Sequence, residues 1–471
     1  MEIDDFDGKS RVFIDCLQQN GTAISPKIGL VDLRQRSAGR GVVAVQDIAE
    51  DEELFSIPRS ACVLTAENSS LSSDIVQQVE DPWFSLILAM TYEYRLGQAS
   101  KWHPYFEVLP AEFDTLMYWT DQELAFLQGS AVVDKIGKQT ANQTFAEKIT
   151  PIVRQHEATF KAEHLTDDDL LALLHRMGST IMAYAFDLES STQPSKSEED
   201  GWEEDSDAGT ISPKGMIPLA DMLNADADRN NAKLYYEEDK VVMKAIKAVK
   251  MGEELFNDYG PLPRADVLRR YGYVTNNYAQ YDVVEIPLKL IKEGLTKEVT
   301  TENVTLLPSE LESRLEYLEQ QGFMDDSYDI ALVSNEDGQM PEEFTTLINA
   351  LTLGADDFAK LKKKEKLPKP ELTREGAQLA HCVFLDRRNQ YPARTGDVGS
   401  YPHDEVVMDT RTANTRTGRR YQMAMSVVNG ELAVLQEAID TTRKLMAGSD
   451  SKRKVEDSPT DSPKGGKRQK T

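Results

Sequence analysis

The chain has 471 residues, a net charge of −27, and 40% hydrophobic and 8% aromatic residues, enough apolar mass for two or three cored domains and too much for a disordered chain. No apolar run approaches the roughly 20 residues that span a bilayer. The N-terminal stretch MEIDDFDGKSRVF is acidic and lacks an apolar signal core, so neither membrane insertion nor secretion is expected.

In chain order, residues 38–58 read as two strands around the turn Ala49-Glu50-Asp51-Glu52, because Val42, Val43, Val45 and then Leu54, Phe55 and Ile57 are β-branched or apolar. Asp81-Pro82-Trp83 opens a helix, with Asp81 as cap, Pro82 at the first helical position and an inner face of Trp83, Ile87, Met90 and Tyr94. A mostly helical stretch runs to about 187, its last helix striped by Leu170, Leu174, Met177, Ile181 and Tyr184. Residues 188–213, dominated by Ser, Pro and acids, read as a loop; 189–207 hold eight carboxylates and one Lys. KLYYEE (233–238) and VVMKAI (241–246) form a predicted hairpin. From about 285 the pattern is helical, most clearly where Met425, Val428, Leu432, Leu435 and Ile439 recur at three- and four-residue steps. The segment 451–471 has no core residues and is expected to be disordered. DEELFSIP (51–58) and GEELFNDY (252–259) echo one another, which local turn chemistry alone explains.

Three motifs follow in order between Gly215 and Val274: GMIPLADMLNAD (215–226), ELFNDYG (254–260) and LRRYGYV (268–274). Upstream stand AGRGVVAVQDIAEDEELFSIPR (38–59) and IMAYAFDLE (181–189). Together these motifs resemble the SET-domain protein-lysine methyltransferases of the Rubisco large-subunit methyltransferase-like group, and within it the fungal ribosomal-protein lysine methyltransferases. The resemblance covers nearly everything from 25 to 445. It implies an α+β fold: a β-rich SET domain over 1–284 with a helical insertion at about 80–212, an all-α substrate-docking domain over 285–448, and a disordered basic tail over 449–471.

Such enzymes move a methyl group from S-adenosylmethionine to a lysine amine by in-line displacement. Presenting a neutral lysine at pH 7 costs roughly 4–5 kcal/mol, which a desolvated aromatic channel and the nearby sulfonium offset. The chemistry calls for tyrosines, an asparagine and glycines, and these motifs contain them. By resemblance, Tyr259 is the catalytic tyrosine that orients the amine; a hairpin-end tyrosine with a satisfied hydroxyl is the competing reading. Asn224, Ala225, Gly39, Arg40, Gly41, Tyr184 and Tyr271 match cofactor-binding positions, against a turn asparagine, a plain glycine turn and ordinary core aromatics. Trp83, Ala185 and Asp187 match substrate contacts, although Trp83 also fits as a helix anchor. Many SET enzymes carry histidine where Ala225 stands, which puts cofactor affinity in question.

No metal is expected. Cys16, Cys62 and Cys382 are far apart in sequence, which fits a reducing compartment, and the six histidines show no ligand spacing. Residues 451–471 hold seven Lys or Arg against three acids, so the body is near −31. That balance disfavours direct nucleic-acid contact and favours a basic protein partner, by resemblance a large-subunit ribosomal protein receiving one methyl group; mere solubility is the alternative. The clusters Lys452–Lys454 and Lys467–Lys470 match a bipartite import signal, pointing to a nuclear import receptor and a nuclear, or shared nuclear and cytoplasmic, location, or else to a solubilising tail. Two further readings keep the fold: a catalytically inactive nuclear adaptor, suggested by Ala225, and methylation of histidine instead of lysine.

Overall fold

The computed structural model describes residues 5–36, 38–188, 213–295, 306–332, 340–392 and 415–456. The acidic segment 189–207 and the cluster Lys467–Lys470 lie outside the described residues, and Lys452–Lys454 fall in a helix that ends at Glu456. The chain divides into two compact units, residues 1–124 with 134–279 and residues 125–133 with 280–471.

Among its described residues the first unit has ten strands: β1 (Ala23–Ile24), β2 (Ile28–Asp32), β3 (Arg40–Ala44), β4 (Glu53–Pro58), β5 (Ala185–Asp187), β6 (Lys214–Met216), β7 (Asn224–Ala225), β8 (Ala232–Tyr236), β9 (Lys240–Ala245) and β10 (Glu254–Asn257). They form two four-stranded sheets, in the orders β1-β4-β9-β8 and β2-β3-β10-β7, and the pair β5-β6. The predicted hairpin is β8–β9, with Tyr235 opposite Val242. The two strands predicted around residue 50 also exist, but they do not pair with each other: β3 lies between β2 and β10, and β4 between β1 and β9.

The echo between 51–58 and 252–259 has a geometric meaning. The chain leaves one sheet after Ala44 and enters the other at Glu53; 201 residues later it leaves after Ala245 and returns at Glu254. These two crossovers run antiparallel and bridge at Ile48 and Val249. Their hydrogen bonds repeat under a local two-fold: Gly252 N to Ala44 O (2.7 Å) matches Asp51 N to Ala245 O (2.9 Å), and Ala44 N to Glu253 O matches Ala245 N to Glu52 O. Glu52 Oε2 accepts from Ala49 N as Glu253 Oε2 does from Lys250 N. Asp51 and Gly252 both have positive φ, 62° and 89°. The shared letters therefore encode one turn used twice, and the turn stitches the two sheets together.

The helix Pro82–Leu96 starts as predicted, with Asp81 Oδ1 accepting from Trp83 N at 2.8 Å. Its middle departs from the expected single inner face. Leu86, Ile87, Leu88, Ala89 and Met90 are all fully buried, because the helix runs through the core of the first unit and not along its surface. The helix Asp167–Tyr184 buries Leu170, Leu174, Met177 and Ile181 of its predicted stripe and leaves Tyr184 half-buried at its end, and a reciprocal Thr166–Asp169 capping box starts it.

Among its described residues the second unit is helical, with an antiparallel ladder between β11 (Val283–Pro287) and β12 (Ser327–Ala331) added to the expected helices. The helix Arg374–Arg388 packs on Arg416–Glu456, burying Leu379, Val383 and Phe384 against the Val428, Leu432, Leu435 and Ile439 stripe. Residues 125–133 are held in this unit by Ser130, whose hydroxyl donates to Glu431 Oε1 at 2.7 Å, and by Arg387, which donates to Gly129 O at 2.7 Å. No helix among the described residues is long and apolar enough to cross a membrane.

Candidate active site

The site grows from β10 and its parallel neighbour β7, where Phe256 faces Asn224 and Asn257 faces Ala225. Ala225 joins this ladder through its backbone, so the missing histidine side chain leaves the strand intact. Asn224 donates from Nδ2 to Arg40 O at 3.2 Å and to Glu254 Oε1 at 2.7 Å, pinning the Gly39–Gly41 turn to β10. Gly41 sits so close that a Cβ would lie 2.4 Å from Leu33 Cδ1, 3.0 Å from Glu254 Oε1 and 3.1 Å from Asn224 Nδ2. Gly39 is the opposite case: its φ is 63° and a Cβ there would meet nothing within 4 Å. One glycine permits close packing and the other the left-handed turn, with open space in front of it. The Arg40 side chain turns away, bonding Val108 O at 2.7 Å and lying over the Phe6 ring, so only its backbone belongs to the turn.

Beyond β10 the chain makes an Asx turn: Asp258 Oδ1 accepts from Gly260 N at 2.8 Å, and Asn230 Nδ2 holds Asp258 Oδ2 at 3.0 Å. This turn sets Tyr259 against Tyr271, with ring centroids 4.5 Å apart and planes inclined by 17°. Tyr271 ends the helix Arg264–Tyr271, which Gly272 caps in the left-handed region at φ 77°. A Cβ on Gly272 would fall 2.7 Å from Thr115 N, so Gly272→Ala is expected to destabilise the first unit by at least about 2 kcal/mol, from the αL penalty plus a backbone clash. A thermal melt checks this; an unchanged Tm would mean that the turn can move.

Removal from water pushes the Tyr259 phenol well above its ordinary pKa, and the hydroxyls of Tyr271, Tyr273, Tyr184 and Tyr278 raise it further. Burial takes Tyr184 and Tyr271 to about 12 and raises Tyr273 as well. The phenols of Tyr259, Tyr184, Tyr271 and Tyr273 therefore stay neutral at physiological pH and can donate hydrogen bonds. Asp226, next to Ala225, fastens this cluster. Burial would raise its pKa, but Arg229, at 2.8 Å from Nε and 2.6 Å from a guanidinium nitrogen, and Asn277 beside Tyr278 hold it below the ordinary value.

The structure thus brings the Arg40 backbone and Gly41 against Asn224, with Gly39 next to them in the turn, and gathers Tyr184, Tyr259 and Tyr271 into one cluster. Trp83, Ala185 and Asp187 are placed by β5, its partner β6 and the helix Pro82–Leu96. Ala185 and Asp187 continue from Tyr184 as β5, and the helix carrying Trp83 packs against β6. Asp187 already holds Lys214 Nζ at 2.6 Å, and its backbone oxygen accepts from Tyr236. Sequence reasoning missed Tyr273, Tyr278, Glu254, Tyr105 and Asp221. Tyr273 and Glu254 lie inside quoted motifs, whereas Tyr105 carries no local signal.

Asp221 is buried within the IPLADMLNAD segment and accepts a hydrogen bond from the Tyr105 hydroxyl. Burial pushes its pKa up to about 7, so the fold retains a proton that the unfolded chain, near 3.9, releases. Between about pH 4 and 7 the folded state binds the extra proton, and stability falls as pH rises, by roughly 1.4 kcal/mol per unit. Thermal melts across this window should show a flatter dependence in Asp221→Asn; an unchanged slope would remove Asp221 as the cause. Among the described residues no cluster of His, Cys, Asp and Glu could hold a metal ion.

The SET domain family model matches residues 39–260. Ribosomal lysine N-methyltransferase 4 of Saccharomyces cerevisiae is 35% identical over 477 residues, covering 94% of each chain. The chain belongs to the SET-domain protein-lysine methyltransferases. This methyltransferase is also 28% identical to N-lysine methyltransferase SETD6 of Homo sapiens, over 86% of its own length and 85% of the relative's. Solved structures of Rubisco LSMT bound to AdoMet, and of the LSMT SET domain bound to lysine and AdoHcy, superpose with TM-scores of 0.66 and 0.64 at 18% identity. They cover 95–96% of this chain and 96% of those chains, and they establish the SET fold.

Proposed function

We propose that this SET methyltransferase uses S-adenosylmethionine to add one methyl group to a lysine of a large-subunit ribosomal protein. The observation that carries the reading is the stacked Tyr259–Tyr271 pair inside a five-tyrosine cluster, two residues beyond the strand that Asn224 ties to the glycine turn. The fit to the cofactor rests on this turn. Open space lies before Gly39, a Cβ at Gly41 would block the Asn224 amide, and both amide protons of Asn224 are engaged, which leaves its carbonyl oxygen as the atom able to accept from a ligand. When bound, the cofactor supplies an electrophilic methyl on a sulfonium.

The protein's part is positioning. Gly39, Arg40, Gly41, Asn224 and Ala225 hold the cofactor through backbone and amide groups, and Tyr184 and Tyr271 wall it. Tyr259, a neutral phenol, accepts or donates at the lysine amine and fixes its lone pair on the transfer axis. Removal from water around the tyrosines favours the neutral amine over the ammonium. Trp83, Ala185 and Asp187 flank the incoming lysine, and the body near −31 draws in a basic protein. The second unit's helices dock the substrate. The clusters Lys452–Lys454 and Lys467–Lys470 engage an import receptor and carry the enzyme to the nucleus, which a fluorescent fusion ending at residue 450 tests by losing nuclear signal.

The substrate reading is tested by incubating the enzyme with S-adenosylmethionine and either salt-extracted large-subunit ribosomal proteins or core histones, followed by intact mass measurement. One large-subunit protein gaining a single methyl mass is the expected result. Labelling confined to histones, or to a histidine side chain, would overturn the proposal.

A further inference from the structure

Among the described residues of this acidic chain, the second unit carries a strongly basic surface. Residues 360–369 (KLKKKEKLPK) contain six lysines against one acid, and removing that +5 leaves the rest of the chain near −32. Lys360, Lys362, Lys363, Lys364, Lys366 and Lys369 are all exposed. Only Lys360 has a carboxylate partner, Asp357 at 2.8 Å; Lys362 bonds the neutral Ser313 hydroxyl and lies over the Tyr317 ring.

Helix-end electrostatics accounts for part of this run. Lys360, Lys362 and Lys363 occupy the last turn of the helix Ala355–Lys363, where the macrodipole favours cations, but that effect fades within a turn. Lys364 is the C-cap of this helix, and Lys366 and Lys369 follow it on a segment that is pinned in place. Tyr317 donates its hydroxyl to Lys366 O at 3.1 Å, and Asn349 Nδ2 donates to Lys369 O and Glu371 O at 2.9 and 2.8 Å. The backbone is thus fixed while the ammonium groups stay in water, an arrangement suited to a polyanion and unsuited to a basic substrate. The acids acting on it are Asp357, paired with Lys360, and Asp356 on the same helix, with Glu365 inside the run. The strongly negative remainder of the chain is screened beyond about 8 Å at physiological ionic strength, so the average charge that argued against nucleic acid does not decide the matter here.

We infer that the Lys360–Lys369 surface binds the phosphate backbone of a nucleic acid, anchoring the enzyme to a nucleic-acid-containing assembly in which its protein substrate is presented. Lysine point charges without a stacking platform imply backbone contact and no sequence preference. The binding does not depend on the ribosomal-protein reading, since it is measured without methyl transfer.

The test is fluorescence anisotropy of the full chain with a labelled single-stranded RNA and a duplex DNA, at several salt concentrations. With about four lysines engaged, the slope of log K against log salt for the single strand should be roughly −3. Replacing Lys363, Lys364, Lys366 and Lys369 by Gln should reduce affinity at least about 30-fold at low salt and flatten that slope, while replacement by Arg keeps both. Tighter binding of the RNA or of the DNA identifies which backbone is bound. No binding by the wild type at low salt, or equal binding by the Gln variant with an unchanged Tm, would overturn the inference. Displacement by polyglutamate at a lower charge concentration than unlabelled RNA would also overturn it, in favour of an acidic protein.

Discussion

Tyr259→Phe should lower the rate of methyl transfer by about two to three orders of magnitude while leaving S-adenosylmethionine affinity within about threefold, the scale found when one positioned hydroxyl or amide donor is removed from a transition state. The substitution is nearly isosteric: the ring keeps its 4.5 Å stack on Tyr271, and the Asx turn at Asp258 holds the backbone. Only the hydroxyl is lost, from a phenol that burial keeps protonated. Stopped-flow or quench measurement of a single turnover, alongside calorimetric titration of the cofactor, separates the two effects. A parallel fall in rate and affinity would instead mark Tyr259 as part of the cofactor wall.

Asn224→Ala should act on the other half of the site, weakening cofactor binding by roughly 10–100-fold. Its amide bonds both Arg40 O and Glu254 Oε1, and deleting it removes a donor from two partly buried acceptors, at roughly 1–3 kcal/mol for each that neither water nor another donor satisfies. At about 1.4 kcal/mol per tenfold, one lost bond already reaches the lower figure. The glycine turn would then loosen on β10, so KM for the cofactor should rise more than kcat falls. A variant with unchanged cofactor affinity would assign this amide to scaffolding alone. The two substitutions together distinguish a positioning hydroxyl from a binding turn.

Much of the fold was legible in local pattern, and the pairing of its parts was not. Val42 and Val43, Leu54 to Ile57, and the 233–246 hairpin announced strands, and Asp81-Pro82 announced a helix start, because these signals act within a few residues. Nothing local could say that β4 pairs with β9, whose residues lie more than 180 positions later, instead of with β3 beside it. The 51–58 and 252–259 echo was visible, but its two-fold exists only once both crossovers meet at Ile48 and Val249. For the helix Pro82–Leu96 the apolar excess around Leu86–Met90 outweighed the apparent stripe, since a helix buried on all sides has no periodicity to show.

The site divides in the same way. Motif order exposed Asn224, Tyr259 and Tyr271, whereas Tyr105 and Tyr278 enter through long-range packing. The basic run at 360–369 was also plain in the letters, and a single net charge for the whole chain concealed it.

The most direct test of the account is a methyl-transfer assay with labelled S-adenosylmethionine and purified large-subunit ribosomal proteins, comparing wild type with Tyr259→Phe at matched cofactor occupancy. One labelled lysine in the wild-type reaction, lost in a variant that still binds cofactor, is the predicted result. Equal labelling by both proteins would contradict it, because the hydroxyl at the centre of the tyrosine cluster would then have no part in the transfer.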